Sequence, residues 1–192
     1  MQRFSEYELI LASNSPRRQQ FLKNIGLDFK VITHDVDEIY PESLKKEEIT
    51  DFLVKLKAMP FKNLNEKQIV ITADTIVWDE KKCLGKPNTI EEAVEMLSQL
   101  SGKSHQVITS VAFTQANSQK VIHEISNVFF KPLTKLEIDY YIKEFKPFDK
   151  AGAYGIQEWI GTVAIEKIEG SYTNIVGLPV VQVLTTLEKI CK

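Results

Sequence analysis

The sequence predicts an α/β fold in which helices flank one mixed β-sheet. Residues 8–33 show a strand, a helix and a second strand within about 25 residues, which is the pattern of an α/β unit. Residues 68–73 form the most β-rich run and predict a central strand. Residues 105–115 and 120–132 are β-rich and separated only by a short polar link, so they predict an antiparallel hairpin.

The predicted helices have recognisable ends. Ser15 followed by Pro16 predicts the start of the first helix, with serine as N-cap and proline in the first turn. Gly26 predicts its end, because glycine readily adopts the left-handed conformation that closes many helices. Thr134 and Glu137 have the spacing of a capping box. Apolar residues at helical spacing predict the other helices over residues 44–57, 89–100, 135–144 and 179–189.

Turn-forming residues mark the breaks between these elements. A short hairpin is predicted over residues 76–84, before Gly85-Lys86-Pro87 interrupts the chain. Five of the eight glycines fall within residues 152–177, where the backbone must turn or approach a ligand closely. No repeat or interdomain linker is visible, so residues 1–192 are interpreted as a single domain. Two lobes around a central cleft are the alternative arrangement.

Composition excludes several classes of partner. The 24 basic and 26 acidic residues give a net charge of −2, which offers no electrostatic footprint for duplex nucleic acid or an anionic membrane. No run of apolar residues is long enough to span a bilayer, and the acidic N-terminal segment does not resemble a signal peptide. Cys83 and Cys191 lie far apart and suit a reducing compartment, so we expect a soluble, cytoplasmic protein.

The junction between the first strand and the first helix is a candidate phosphate site. Two of the chain's three arginines, Arg17 and Arg18, lie there beside the hydroxyls of Ser13 and Ser15. Guanidinium groups bind phosphate oxygens in pairs, and a helix N-terminus favours anions. The alternative is that Ser15 only caps the helix while the arginines pair with surface carboxylates.

Acidic residues after two predicted strands are candidates for catalysis or metal binding. Asp74 follows the buried run over residues 69–73, a position that suits a metal ligand, a general base or simply the cap of a turn. Asp37 and Glu38 follow another strand and would complete an oxygen-ligand set for Mg²⁺, unless they form an exposed acidic turn. No Cys/His cluster has zinc spacing, so a metal here would be a hard cation.

Lysines are weaker candidates, because 21 of them are distributed along the chain. Lys86 is set between two chain breakers, which would hold its ammonium in place against a triphosphate. Lys57 and Lys150 carry no comparable local signal, although Lys150 precedes the glycine-rich stretch. His105 lies in the context Gly-Lys-Ser-His, where a structural role is favoured.

Taken in order, eight motifs spanning nearly the whole chain resemble the Maf family of nucleoside triphosphate pyrophosphatases. They are Leu9-Ile-Leu-Ala-Ser-Asn-Ser-Pro-Arg-Arg, Asp37-Glu, Lys57-Ala, Ala73-Asp-Thr, Leu84-Gly-Lys-Pro, Leu100-Ser-Gly-Lys-Ser-His, Asp149-Lys-Ala-Gly-Ala-Tyr-Gly-Ile-Gln and Val176-Gly-Leu-Pro. The resemblance implies an inosine-triphosphatase-like fold, with an elongated sheet and α/β lobes around a cleft, and a homodimer. It also implies hydrolysis of a nucleoside triphosphate to the monophosphate and pyrophosphate with Mg²⁺ or Mn²⁺.

The resemblance also assigns residues by position. It makes Asp74 the proton acceptor and links Arg17, Thr75 and Gln157 to substrate choice. Further pocket residues are Ser13, Arg18, Glu38, Lys57 and Lys86. The combination of motifs is similar to the branch that acts on dTTP and UTP, and the amide of Gln157 suits the O4 and N3–H edge of thymine or uracil. One departure is that Glu158 and Trp159 follow Gln157, where the family usually has glycine.

Two other functions are compatible with the same residues. One is a nucleotide-binding regulator of cell division or septum formation that performs no chemistry. The other is a house-cleaning pyrophosphatase for modified nucleotides. Metal-dependent release of pyrophosphate separates the first from the enzyme, because only the enzyme needs Asp74 and a metal.

Overall fold

A mixed sheet organises the fold of this protein, for which a computed structural model describes residues 4–192. The first three residues, Arg3 among them, lie outside the described part. The strands are β1 Glu8–Leu11, β2 Lys30–Val31, β3 Gln68–Asp79, β4 Lys82–Leu84, β5 Ser104–Thr114, β6 Gln119–Phe130 and β7 Ile165–Glu169. The helices are α1 Pro16–Asn24, α2 Glu47–Ala58, α3 Ile90–Leu100, α4 Lys135–Phe145, α5 Trp159–Val163, α6 Tyr172–Val176 and α7 Val180–Ile190.

The sheet contains both parallel and antiparallel pairs. Over residues 4–192 its strand order is β2-β1-β3-β5-β6-β7, and β4 pairs with the end of β3. β1 runs parallel to β2 and β3, whereas β4 and β7 run antiparallel to β3 and β6. The predicted mixed α/β class is therefore confirmed. Within residues 4–192, every helix is too short or too polar to span a bilayer.

The described chain divides into two compact units, and β3, β5 and β6 each contribute residues to both. The first unit comprises residues 4–74, 109–124 and 177–192. One face of its strands packs against α1 and α7 through an apolar core. This core includes Leu9, Leu11, Leu22, Ile69, Ile71, Ala73, Leu178, Val183 and Leu187.

Helix α2 covers the opposite face of the strands in the first unit. Side chains alternate along a strand, so Thr72 points away from Ile71 and Ala73, which belong to the core just described. The Thr72 hydroxyl donates to the backbone oxygen of Val54 in α2 at 2.8 Å. The alternation of β3 thus directs every second side chain toward α2.

The second unit comprises residues 75–108 and 125–176 and has its own apolar core. Helices α3 and α4 supply the helical side of this core, which includes Ala93, Leu97, Leu100, Val107, Val128, Ile138, Tyr141 and Ile142. Gly152 has a φ of +67°, and a Cβ there would lie 2.9 Å from Val77 Cγ2. A larger residue at this position is therefore excluded by both conformation and space.

The residues predicted to cap the helices are confirmed. Ser15 caps α1, and Thr134 with Glu137 forms the capping box of α4. Gly26 has a φ of +72°, and the N–H groups of Gly26 and Leu27 donate to the oxygens of Lys23 and Leu22 at the end of α1. This is the Schellman arrangement that glycine permits.

Several predicted boundaries are wrong. β3 does not end at residue 73 but continues to Asp79, because the β-favouring residues 76–78 extend it as one side of the predicted hairpin with β4. The second strand of the predicted α/β unit was expected over residues 29–33, but β2 covers only Lys30–Val31. The glycine-rich region over residues 152–177 also contains β7 and two short helices, whose weak periodicity did not predict them.

His105 has the structural role that its sequence context favours. Its Nε2 lies 2.7 Å from the hydroxyl of Tyr154, and both residues are buried. Burial lowers the pKa of His105 from 6.5 to about 4 and raises the pKa of Tyr154. His105 is therefore a neutral core residue at pH 7.

We expect this histidine to limit stability in acid. Between about pH 6.5 and pH 4, His105 of the unfolded chain binds a proton that His105 of the folded chain does not bind. The contribution of neutral His105 to the free energy of unfolding is therefore fully present above about pH 6.5 and is lost as the pH falls toward 4. Urea unfolding at about pH 7 and about pH 4.5 should show that the wild type loses about 2–3 kcal/mol more than His105→Gln. The exposed His34→Gln serves as the control, and equal losses in all three proteins would contradict this role.

Candidate active site

Asp74 lies beyond the end of the strand next to its own. β1 ends at Leu11, which pairs with Ile71, and Ala12 N–H donates to the Ile71 oxygen at 2.9 Å. The prediction that Asp74 lies at the end of its own strand is thus wrong, because β3 continues to Asp79. Asp74 does lie past the end of the neighbouring strand β1. Because Thr72 faces α2, alternation directs the Asp74 side chain to that same face.

Asp74, Lys57 and Glu38 form a chain of ion pairs on this face. Lys57, in the last turn of α2, places its Nζ 2.6 Å from Asp74 Oδ1 and 3.0 Å from Glu38 Oε1. Asp74 is only 6% exposed, whereas the Glu38 side chain is 46% exposed. One ammonium therefore bridges a buried and an exposed carboxylate.

Arg18 reaches the same end of the first unit from α1. Its Nε donates to the Gly177 oxygen at 2.9 Å, and its Nη1 donates to the Ala73 oxygen at 2.9 Å and to Ser13 Oγ at 3.3 Å. Burial lowers the pKa of the Arg18 guanidinium, and the charge of Asp74 acts in the opposite direction. Arginine stays charged in such surroundings, so Arg18 holds a positive charge beside Asp74.

The serines of the predicted phosphate site make local hydrogen bonds. Ser13 is 7% exposed, and its hydroxyl accepts from Ser15 N–H at 3.3 Å as well as from Arg18. Ser15 Oγ accepts from Arg18 N–H at 3.5 Å, which is the capping alternative stated above. Arg17 is half-buried in the first turn of α1. The structure therefore gathers Ser13, Ser15 and Arg18, while phosphate binding there stays a prediction.

Gly177 is a site residue that reasoning from the sequence did not assign. Its φ of +122° is a conformation that favours glycine, and its carbonyl oxygen accepts the hydrogen bond from Arg18 Nε. The motif Val176-Gly-Leu-Pro was the available signal. Nothing in that motif indicated which side chain its backbone would meet.

The two carboxylates fit a divalent cation. Because Glu38 and Asp74 both contact the Lys57 ammonium, their oxygens lie within reach of a single positive centre. Residues 4–192 contain no group of three or more Asp, Glu, His or Cys side chains arranged for a metal. Two carboxylates suit Mg²⁺, which is commonly held by one or two carboxylates together with substrate phosphates.

The other predicted residues belong to the second unit. Thr75 follows Asp74 along β3, and successive side chains of a strand point to opposite faces. Lys86 is exposed, and the preceding Gly85 oxygen accepts a hydrogen bond from Gly152 N–H at 3.0 Å. Gln157 is exposed, just before α5.

The sequence did not lead us to predict that Lys150 is buried and paired with an acidic side chain. Lys150 is 8% exposed and its Nζ lies 3.0 Å from Glu158 Oε1. Two signals pointed to it, namely the position of Lys150 before the glycine-rich stretch and the unusual carboxylate after Gln157. Neither signal shows that the two side chains pair.

Comparison with known proteins identifies the family. Residues 8–190 match the family described as Maf-like protein. A dTTP/UTP pyrophosphatase of Christiangramia forsetii is 57% identical over 95% of this chain and 94% of that protein. Proteins with the same name from Flavobacterium johnsoniae and Bacteroides fragilis are 51% and 47% identical, over 97% and 96% of this chain and 98% and 96% of theirs. The chain therefore belongs to the Maf-like protein family, and the resemblance seen in its motifs is confirmed.

Solved structures give a more distant likeness. The Ham1 protein of Staphylococcus aureus aligns with a TM-score of 0.45 and 17% identity over 64% of this chain and 71% of that chain. A HAM1 protein of Coxiella burnetii aligns with a TM-score of 0.43 and 14% identity over 65% and 73%. The fold class rests on the sheet itself, and the predicted cleft between two lobes stays a prediction.

We expect Arg18→Lys to destabilise the protein. A single ammonium cannot reproduce the three bonds that the guanidinium makes to Gly177, Ala73 and Ser13, so buried acceptors would lose their partner. Chemical denaturation should show a loss of about 1–3 kcal/mol. The matched control is Arg17→Lys in the same turn, for which a smaller loss is expected. An equally large loss in Arg17→Lys would contradict the stabilising role assigned to the three hydrogen bonds of Arg18.

Proposed function

We propose that this protein hydrolyses nucleoside triphosphates, with dTTP and UTP preferred, to the nucleoside monophosphate and pyrophosphate. The observation that carries the proposal is the buried Asp74 carboxylate, bonded to Lys57 at 2.6 Å and held beside the charge of Arg18. A buried carboxylate with cations near it suits this reaction, because the carboxylate can accept the proton of the water while the cations stabilise the negative charge that develops on the phosphates. The activity named for the relatives supports the same conclusion.

In this proposal Asp74 takes the proton from the water that attacks between the α and β phosphates. Lys57 and Arg18 offset the negative charge that builds on the leaving pyrophosphate, and Lys86 contributes a further ammonium. Ser13, Ser15 and Arg17 extend the phosphate-binding group around the N-terminus of α1, whose free amides favour an anion. The hydroxyl of Ser15 caps the helix, so its part would be to present those amides.

A divalent cation, Mg²⁺ or Mn²⁺, belongs to the proposed reaction, and Glu38 with Asp74 would hold it. When bound, it neutralises phosphate charge and makes water a better nucleophile. Lys57 pairs with Oδ1 of Asp74 and Oε1 of Glu38. If the two carboxylates held a cation, the Lys57 ammonium would either share them with it or turn to a phosphate oxygen.

Base selection is assigned to Gln157, with Thr75 and Arg17 as further contributors. The amide of Gln157 both donates and accepts, as the O4 and N3–H edge of a pyrimidine requires. A polar group left unpaired by the wrong base rejects that base more strongly than an apolar wall does. We further propose that residues 1–192 act as one Maf-like domain in a cytoplasmic homodimer, without duplex nucleic acid or membrane as partners.

The decisive experiment measures pyrophosphate released from dTTP by the whole chain, with Mg²⁺ and with EDTA. Release with Mg²⁺ and none with EDTA supports the enzyme. Binding of dTTP without release would instead indicate a nucleotide-binding regulator. Turnover that persists in EDTA would remove the metal from the mechanism.

We expect Asp74→Asn to be folded and nearly inactive. The amide keeps the shape of the carboxylate but cannot take a proton, and one positioned base contributes about 10²–10⁴-fold in rate. Pyrophosphate release from dTTP should fall by that factor, while Asp79→Asn, on the same strand, should keep the parental rate. Parental activity in a purified Asp74→Asn sample would contradict the assigned role.

A panel of triphosphates tests base selection. We expect dTTP and UTP to be hydrolysed with the highest kcat/KM, and Gln157→Ala to reduce their lead over ATP and GTP by about tenfold, because the amide no longer pairs with the base. Equal turnover of all four by the wild type would remove the pyrimidine preference. Faster turnover of modified pyrimidines would point to a house-cleaning role.

A further inference from the structure

Three polar side chains meet in the interior of the second unit, next to the turn that carries Gln157. Tyr141 in α4 is 0% exposed, and Lys150 is 8% exposed. Glu158, which precedes α5, turns its side chain toward both and is only 20% exposed there. We call Tyr141, Lys150 and Glu158 the turn clamp.

The clamp is linked by direct hydrogen bonds and one ion pair. The Tyr141 hydroxyl donates to Glu158 Oε2, and it accepts from Gly155 N–H at 2.9 Å. Lys150 Nζ pairs with Glu158 Oε1 at 3.0 Å and with Asp149 Oδ1 at 2.6 Å. Burial, reinforced by the hydrogen bond to Glu158, raises the pKa of Tyr141, so the phenol stays protonated and able to donate.

These bonds hold both ends of one turn. Glu158 N–H donates to the Gly155 oxygen at 3.0 Å, which closes a turn over residues 155–158. The phenol of Tyr141 then binds the backbone at Gly155 and the carboxylate at Glu158. Within the turn Ile156 is buried and Gln157 is exposed.

The packing leaves little freedom for the turn to shift. A Cβ at Gly155 would lie 2.9 Å from both Glu158 Cδ and Lys150 Cε, so the ion pair rests directly on the glycine backbone. Buried ion pairs contribute little net stability compared with apolar residues of the same volume. A directional bond to one backbone N–H is something that apolar residues cannot supply.

We propose that Tyr141, Lys150 and Glu158 are positioning residues that fix the turn over residues 155–158 and thereby orient Gln157 toward the base of the substrate. This inference rests on the proposed function, in which Gln157 selects pyrimidines. A glutamine on a rigid backbone binds one base edge with less loss of conformational freedom, and so discriminates better than one on a mobile turn.

The test compares Tyr141→Phe with Tyr140→Phe. The first variant keeps the buried ring and removes the hydroxyl that holds the turn. The second removes an exposed hydroxyl from the neighbouring residue, whose ring packs against Trp159 at 5.0 Å. In Tyr141→Phe we expect the ratio of kcat/KM for dTTP over ATP to fall about tenfold, mainly through a higher KM for dTTP. Tyr140→Phe should keep the parental ratio.

Hydrogen exchange gives a readout that is independent of activity. The Gly155 amide should exchange about tenfold faster in Tyr141→Phe than in the wild type, because its acceptor is gone. Lys150→Met and Glu158→Gln should also lower the preference for dTTP. Lys150→Arg retains a positive charge opposite Glu158, so it should keep that preference. These variants keep the test available if Tyr141→Phe does not fold.

The possible outcomes separate this inference from the proposed function. A wild type that releases no pyrophosphate contradicts the proposed function, and with it the role of the clamp. An active, pyrimidine-selective wild type whose folded clamp variants keep that selectivity overturns the clamp alone. Equal losses of rate on all triphosphates would likewise overturn it, because they would indicate a purely structural group.

Discussion

Charge compensation at Asp74 is the constraint on which the candidate site depends. A carboxylate that is 6% exposed has lost most of its hydration, and its burial is costly unless cations and hydrogen-bond donors replace the water. Lys57 provides a direct bond, and Arg18 provides a charge that is itself held by backbone oxygens. Each cation comes from a different helix, so the site requires both helices to pack correctly on the sheet.

The strand β3 makes this possible through its alternation. Thr72 and Asp74 point toward α2, where they meet Val54 and Lys57, while Ala73 between them belongs to the core on the other face. Three successive residues of β3 therefore have different roles. Thr72 contacts α2, Ala73 belongs to the apolar core, and Asp74 supplies the carboxylate of the candidate site. A shift of one residue in register would exchange these roles.

The second unit uses a buried ion pair for a different purpose. Lys150 and Glu158 neutralise each other and, with the phenol of Tyr141, bind the backbone at Gly155. In the first unit the paired ammonium covers carboxylates that are proposed to act on the substrate. In the second unit the pair holds a turn in place, and the exposed side chain of that turn is proposed to do the recognition.

Local signals in the sequence predicted much of the secondary structure. Signals at helix ends act over a few residues, so the neighbouring residues in the sequence suffice to predict them. Examples are the N-cap Ser15, the helix-ending Gly26 and the capping box at Thr134. The strand β7 was not predicted, because it forms by pairing with β6, which lies far away along the chain. The sequence predicted β3 as two separate pieces, a strand over residues 68–73 and one side of the hairpin with β4, and did not show that they join. The candidate residues themselves came from the motifs and their order.

By itself, the sequence determined the α/β class, the family and the chemical types available to the site, because composition, caps and motifs are local properties. Only the tertiary structure decided that Lys57 bridges Asp74 and Glu38, that Arg18 binds Gly177, and that Glu158 turns inward. These pairs are far apart along the chain. They form only when the packing of helices on strands brings their side chains within hydrogen-bond distance, and no local pattern encodes that distance.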